Sequence, residues 1–200
     1  MKIAPSLGRS KAFNLANLLT YGRLVAVPAV VGLLFWPEDH WSRWFALIIF
    51  AIAAITDYLD GYVARTYGQQ SVLGRMLDPI ADKLLVSTCL LLLAADTDRT
   101  IAGWSLWAAI IILCREIMVS GLREFLAELK VSVPVSRVAK WKTTLQLVAL
   151  GFLIAGPAGE TVLPNNTLIG IVLLWVAAVL TIYTGWDYFK NGIHHLMDEG

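Results

Sequence analysis

The sequence predicts an all-α integral membrane protein with six transmembrane helices and both termini on the cytoplasmic side. Hydrophobic residues make up 58% of the 200 residues, and the mean hydropathy is +0.66. Charged residues account for only 16%, whereas an ordinary soluble chain carries about 25%. This composition excludes a soluble α/β enzyme and a disordered chain, and it is typical of a protein that crosses a membrane several times.

Six apolar runs are the candidate helices, each close to the length of about 20 residues that a bilayer requires. The first ends before Pro37, and the second continues past Thr56 into a polar segment. The third begins after Pro79, and the fourth carries a charged extension that starts at Arg123. The predicted spans are 17–36, 41–65, 79–95, 101–127, 138–156 and 166–189. With no internal repeat or linker, residues 1–200 are expected to form a single transmembrane domain.

Basic residues are distributed very unequally between the two predicted sides. With a cytoplasmic N-terminus, all of the 16 Lys and Arg residues except Arg43 and Arg99 fall on the cytoplasmic side. Because short cytoplasmic loops carry the excess of basic residues, both termini and the loops 65–78 and 121–140 are predicted to face the cytoplasm. The formal net charge is only +1, which argues against nucleic acid as a partner.

Four aspartates lie where apolar helices meet the cytoplasmic boundary. Asp57 and Asp60 are three residues apart, and Asp78 and Asp82 are four apart, so each pair shares one face of a helix. Carboxylates at this depth are costly and generally mark a functional cavity. Oxygen ligands favour hard cations, so we expect two Mg²⁺ or Mn²⁺ ions, which would balance the four charges. The alternative is a set of salt bridges to nearby basic residues, namely Arg65, Arg75 and Lys83.

The segment 57–82 reads DxxDGxxAR, eight residues, then GxxxDxxxD. It resembles the signature of the CDP-alcohol phosphatidyltransferase family at every fixed position. Members of that family are six-helix membrane enzymes that commonly form homodimers. They use a divalent metal to transfer a phosphatidyl or phosphoalcohol group from a CDP-linked donor to an alcohol, and they release CMP. The resemblance implies that Asp57, Asp60, Asp78 and Asp82 bind metal and that Asp82 also acts as the base.

The same resemblance assigns the binding site for the CDP-linked donor. Gly61 and Gly74 are small positions that would let a bulky ligand approach the helices. The residues alone do not distinguish Asp82 from Asp78 as the proton acceptor. The implied donor-binding residues are Asp57, Gly61, Ala64, Arg65, Ser71, Gly74 and Asp78.

A second group of basic residues lies on the same predicted side as the aspartates. Since the metals already serve the donor, a phosphorylated acceptor needs a cationic pocket of its own. A buried Arg115–Glu116 ion pair is one alternative, and membrane anchoring by the two lysines is another. The residues predicted to bind the acceptor phosphate are Arg115, Arg123, Lys140 and Lys142.

Segments 14–23, 115–124 and 140–146 resemble the branch of the family that uses sn-glycerol 3-phosphate. This implies transfer of the phosphatidyl group of CDP-diacylglycerol to sn-glycerol 3-phosphate, giving phosphatidylglycerol phosphate and CMP. The enzyme would act in the inner membrane, among its lipids, with its active site on the cytoplasmic side. Two alternatives stay open. The acceptor could be inositol phosphate or another polyol, or the aspartates could select ions in a divalent-cation channel or transporter.

Overall fold

A computed structural model describes residues 15–35, 40–67, 72–96, 98, 100–129 and 137–198. Within these ranges it leaves out the side chains of residues 15–17, 40, 58–67, 72, 73, 75, 137–140 and 191–198. The described residues form no strand, which confirms the all-α prediction for this part of the chain. The helices are α1 (Leu15–Phe35), α2 (His40–Tyr67), α3 (Val72–Ala95), α4 (Ser105–Glu128), α5 (Arg137–Gly159) and α6 (Asn166–Asp198).

Three of these helices contain a stretch long and apolar enough to cross a membrane, namely Leu18–Phe35, Ser105–Glu128 and Asn166–Lys190. Large apolar side chains are exposed on the outside of the bundle, among them Ile52 and Val179. Exposing such a surface to water would be unfavourable by about 25 cal/mol per Å², whereas lipid accepts it. The protein is therefore a helical membrane protein. Within the described residues, no such stretch is found in α2, α3 or α5, which carry many of the polar side chains described below.

Helix α3 begins earlier than the sequence predicts. It starts at Val72, and Pro79 lies inside it, although the prediction placed the start of this span at Pro79. A proline inside a helix removes one backbone hydrogen bond, and membrane helices tolerate this loss when neighbouring groups compensate. As a consequence Asp78 and Asp82 both lie well inside α3.

The helices pack in a pattern that brings the ends of α1, α2 and α3 together. Helix α1 contacts α2 and α3, α5 contacts α2 and α6, and α4 packs mainly on α6. Among the described residues, α5 and α6 share the most extensive contact, and a Cβ atom at Gly170 would lie 2.8 Å from Leu153 Cγ. Small residues allow this kind of close approach between membrane helices. The contacts leave two ends of the bundle, one carrying the aspartates and the other carrying the connections between α3 and α4 and between α5 and α6.

The end opposite the aspartates is held by a buried arginine. Arg43 is 1% exposed and donates hydrogen bonds to Asp96 at 2.7 Å and to Asp98 at 2.9 Å. The Thr100 hydroxyl donates to Asp96 at 2.7 Å, and Arg43 also reaches the Ile154 carbonyl at 3.3 Å. This Arg43 cluster therefore ties α2 to the α3–α4 connection and to α5.

Helix α5 bends sharply beside the Arg43 cluster. Gly156 has φ 46° and ψ −129° and is followed by Pro157, so the regular hydrogen bonds of the helix cannot continue. Asn166, at the start of α6, donates to the Phe152 carbonyl at 2.8 Å and to the Gly156 carbonyl at 3.0 Å. Arg43 leaves no room for a side chain at the bend, because a Cβ atom on Gly156 would lie 2.8 Å from Arg43 Nη1.

Candidate active site

Two of the four aspartates converge on one arginine. Arg23 of α1 is 1% exposed, and its guanidinium donates hydrogen bonds to Asp57 of α2 and to Asp78 of α3, the latter at 3.3 Å. Thr20, one turn before Arg23, is also buried and donates its hydroxyl proton to Asp78. The three-residue spacing places Thr20 and Arg23 on the same face of α1. Helix α1 thus supplies the groups that hold the carboxylates of α2 and α3 together.

Asp82 lies one turn beyond Asp78 on α3 and has different surroundings. It forms no hydrogen bond or ion pair with any side chain that the structure describes. It lines a cavity between α3, α4 and α5, together with Glu116 and Gln146. The neighbouring Lys83 directs its ammonium group to the Pro79 carbonyl at 3.2 Å instead. Of the three signature aspartates whose side chains are described, Asp82 is therefore the one whose carboxylate remains available to a ligand.

A second charged cluster forms where α4, α5 and α6 meet. Glu116 of α4 accepts hydrogen bonds from Arg115, at 3.2 Å, and from the buried ammonium group of Lys142 on α5. Arg115 also donates to the Thr184 hydroxyl of α6 at 3.3 Å. A Cβ atom at Gly185 would lie 3.1 Å from Arg115 Cγ, so the glycine lets the arginine lie close against α6. We call Arg115, Glu116 and Lys142 the Glu116 cluster.

The charges of the Glu116 cluster do not cancel. Two cationic side chains share one carboxylate, so the three groups keep one positive charge. A buried positive charge at this position is suited to an anionic ligand, and an arginine fork matches the geometry of a phosphate group. The predicted Arg115–Glu116 ion pair is therefore present, but it accounts for only part of the charge.

Arg123, which is also predicted to bind the acceptor phosphate, contacts Tyr188 and forms no ion pair with Glu116. It sits over the ring of Tyr188 on α6, 5.9 Å from the ring centroid, and the residue is exposed. Arg123 is eight residues beyond Arg115, about two turns along α4. The cation–π contact explains its orientation without a phosphate ligand.

The remaining predicted site residues differ in how much of them the structure describes. Gly74 is buried near the start of α3. Ser71 lies outside the described residues, and so do the alternative partner side chains Arg65 and Arg75. For the other predicted positions the structure gives the helix but not the side-chain surroundings, namely Asp60, Gly61 and Ala64 on α2 and Lys140 on α5.

Sequence reasoning missed the roles of Thr20 and Arg23. Arg23 is one of the cytoplasmic basic residues, and both residues lie in the segment 14–23 that resembles the family. Neither pattern identifies the partner of these side chains. A usable signal was present, because a charged residue inside an apolar run generally faces a partner or a cavity. Only the packing of α1 against α2 and α3 identifies that partner.

The two carboxylates that bind Arg23 are also candidate ligands of a divalent metal. Asp57 and Asp78 already converge on one cation, and carboxylate oxygens are the preferred ligands of Mg²⁺ and Mn²⁺. Among the described side chains, no three acidic, His or Cys residues lie close enough together to hold a metal ion. Asp57 and Asp78 have the negative charge and the oxygen atoms that two ligands of such a site require. The side chain of Asp60 is not among those that the structure describes.

Comparison with known proteins agrees with the signature at this site. The family model for CDP-alcohol phosphatidyltransferase matches residues 13–183, which includes Arg23, the four aspartates and the Glu116 cluster. The chain belongs to the CDP-alcohol phosphatidyltransferase family. In this family member the signature segment occupies the last part of α2, the connection to α3 and the first half of α3.

Curated relatives cover almost the whole of this family member. The CDP-diacylglycerol–glycerol-3-phosphate 3-phosphatidyltransferase of Rickettsia bellii is 46% identical over 179 residues, 88% of this chain and 94% of the relative. The proteins of the same name from Cereibacter sphaeroides and Shigella flexneri are 37% identical over 220 residues and 39% identical over 189 residues. In both comparisons the match covers 94% of this chain and 99% of the relative.

Proposed function

We propose that this protein transfers the phosphatidyl group of CDP-diacylglycerol to sn-glycerol 3-phosphate, giving phosphatidylglycerol phosphate and CMP. The observation that carries the proposal is the position of Asp82, which lines one cavity with Glu116 and lies one turn from the Arg23-bound Asp78. A proton acceptor thus stands between a carboxylate pair and a cationic cluster. The names of the relatives support the same donor and acceptor.

The donor side of the proposed site is the signature segment. Asp57, Asp60 and Asp78 would hold two Mg²⁺ or Mn²⁺ ions, with Asp82 completing the set. Bound metal would neutralise negative charge on the pyrophosphate of the donor. The remaining signature positions would surround the CDP group, namely Gly61, Ala64, Arg65, Ser71 and Gly74.

The acceptor side is the Glu116 cluster, whose surplus positive charge suits the phosphate of the acceptor. The hydroxyl group at the other end of the acceptor would then point towards Asp82. Asp82 takes the hydroxyl proton while the hydroxyl oxygen forms a bond to the phosphatidyl phosphorus. The bond from that phosphorus to the oxygen of CMP breaks, and CMP leaves with the bonding electrons.

An assay of the purified protein in detergent tests this function. The protein is supplied with CDP-diacylglycerol, Mg²⁺ and one acceptor at a time from glycerol 3-phosphate, inositol phosphate, inositol and serine. We expect CMP release and a phosphorylated lipid product with glycerol 3-phosphate. A product with inositol phosphate alone would favour the other acceptor class, and no CMP release with any acceptor would contradict the proposal.

A divalent-cation channel is less consistent with the sequence. A channel would not need the other signature residues at these spacings, namely Gly61, Ala64, Arg65 and Gly74. Cation flux into proteoliposomes in the absence of CDP-diacylglycerol would support the channel.

We also propose that the protein lies in the inner membrane and crosses it six times, with both termini and the aspartate end on the cytoplasmic side. The distribution of basic residues and the positions of exposed tryptophans support this arrangement. Trp41 and Trp104 lie at one end of the bundle and Trp141 and Trp186 near the other, as is typical of the two membrane interfaces. Homodimer formation rests on the family resemblance alone.

This orientation predicts opposite labelling of the two ends. After Cys89 and Cys114 are replaced by Ser, a single cysteine at Leu129 should react with an impermeant maleimide only when the cytoplasmic side is exposed. A single cysteine at Glu160 should react from the outside. Both residues are exposed, so access to the side chain does not limit the reaction. The reverse pattern would place the aspartates on the wrong side for a cytoplasmic nucleotide product.

The Glu116 cluster predicts a selective effect on the acceptor. Arg115→Lys keeps the charge but loses the planar fork, and we expect the KM for glycerol 3-phosphate to rise about tenfold or more. The KM for CDP-diacylglycerol should stay within about twofold, since the donor binds elsewhere. Lys142→Met should act in the same way, because it removes one of the two cations.

Arg123→Lys is the matched control, because the same substitution is made at an arginine whose guanidinium lies over Tyr188. It should change the KM for glycerol 3-phosphate less than Arg115→Lys does. Equal changes in both KM values for Arg115→Lys and Lys142→Met would show that the cluster supports the fold and does not bind the acceptor.

A further inference from the structure

A small cavity lies beside Asp82, between α3, α4 and α5. Its volume is about 30 Å³, which is enough for about one hydroxyl-sized group. The polar side chains that line it are Asp82, Lys83, Ser87, Glu116, Thr143 and Gln146. A polar cavity inside a membrane protein generally marks a binding site for a polar ligand.

Gln146 is the unusual member of this lining. It is 3% exposed, and its side-chain oxygen Oε1 is buried without a hydrogen-bond partner among the described residues. A buried acceptor without a donor is unfavourable, and such groups are rare outside functional sites. Gln146 follows Lys142 by four residues, so both lie on the same face of α5. The free acceptor atom is therefore on the face of α5 that carries the Glu116 cluster.

A larger groove adjoins the cavity on the side of α3 and α4. Its volume is about 230 Å³, and it shares Lys83 and Ser87 with the small cavity. The two volumes together allow a ligand that places one hydroxyl group in the cavity and the rest of the molecule outside it.

We propose that Gln146 determines acceptor specificity by accepting a hydrogen bond from the secondary hydroxyl group of the polyol phosphate. This inference rests on the proposed function. The acceptor has a phosphate at one end, a reacting primary hydroxyl at the other and a secondary hydroxyl between them. The cavity is lined by Asp82 and by Glu116, and Glu116 binds the two cations of the Glu116 cluster. Gln146 then aligns the primary hydroxyl with Asp82 and recognises the polyol.

The test compares two acceptors that differ only in the secondary hydroxyl group, sn-glycerol 3-phosphate and 3-hydroxypropyl phosphate. For the unmodified protein we expect kcat/KM to be about 10- to 100-fold higher with glycerol 3-phosphate, because a site built to bond a hydroxyl rejects the analogue that lacks it. In Gln146→Met the preference should fall to within about threefold, with the KM for CDP-diacylglycerol unchanged. Met keeps the length of the side chain and removes the amide.

Thr181→Val is the matched control. Thr181 is buried on α6 and its hydroxyl oxygen also lacks a partner, but it does not line the cavity. This variant should keep the full preference for glycerol 3-phosphate. If it lost the preference as Gln146→Met does, the effect would be one of general packing and the proposal would be overturned.

Two further outcomes separate the inference from the function on which it rests. Transfer to both acceptors at equal rates by the unmodified protein would overturn the role of Gln146 and leave the proposed function intact, even if no Gln146 variant folds. Transfer to neither acceptor, with CMP released by a different alcohol, would overturn both.

Discussion

Replacing Asp82 with Asn is expected to lower kcat by about 100-fold or more while the protein still folds. Asn has the same shape as Asp but cannot take the acceptor proton. Because Asp82 forms no ion pair with the described side chains, the change leaves no buried partner charge behind. The measurement is the rate of CMP release at saturating concentrations of both substrates, with the melting temperature as a check on folding.

The same substitution at Asp57, Asp60 or Asp78 should also remove nearly all activity, through the loss of metal binding alone. These carboxylates are the proposed metal ligands, so EDTA should abolish turnover of the unmodified protein, and Mg²⁺ or Mn²⁺ should restore it. Asp187→Asn is the matched control, since Asp187 is exposed on α6 and lies outside the site. Full activity in EDTA, or an active Asp82→Asn protein, would refute this mechanism.

Replacing Arg43 with Met is expected to lower the free energy of unfolding by about 3–5 kcal/mol, the usual effect of removing one partner of a buried ion pair. The substitution leaves Asp96, which is 5% exposed, without its cation. It also removes the donor to the Ile154 carbonyl beside the bend of α5. Unfolding by a denaturing detergent, followed by circular dichroism, measures the change.

A double variant shows whether the loss arises from the ion pair. Arg43→Met combined with Asp96→Asn removes both charges, so it should be less destabilised than the sum of the two single variants. Lys190→Met changes an exposed cation on α6 and should alter stability by less than about 0.5 kcal/mol. Strict additivity of Arg43→Met and Asp96→Asn would mean that the two side chains do not stabilise each other.

The sequence predicted the helices well because their signal is local. An apolar run of sufficient length can satisfy its backbone only as a helix in lipid, so composition along the chain was enough to locate all six. The predicted start of α3 is wrong, because the prediction takes Pro79 as a helix boundary. Proline is a reliable boundary in water, but within α3 the chain continues as a helix through it.

The candidate site could be predicted only in part, because charged side chains choose their partners through tertiary packing. The spacings of Asp57 with Asp60 and of Asp78 with Asp82 predict two carboxylate pairs. Arg23, which binds Asp57 and Asp78, lies 34 and 55 residues away from them in sequence. Arg115 reaches Thr184, 69 residues further on. Periodicity within a helix contains no information about such pairs, nor about the contact of Arg123 with Tyr188.

The contact of Arg23 with two aspartates has a consequence for how the protein is made. Nascent helices enter the bilayer one after another, and bare carboxylates on α2 and α3 would oppose their association. Because α1 is synthesised first and brings its own cation, the three helices can assemble before any ligand arrives. The charge that balances Asp57 and Asp78 in this packing therefore belongs to the chain itself.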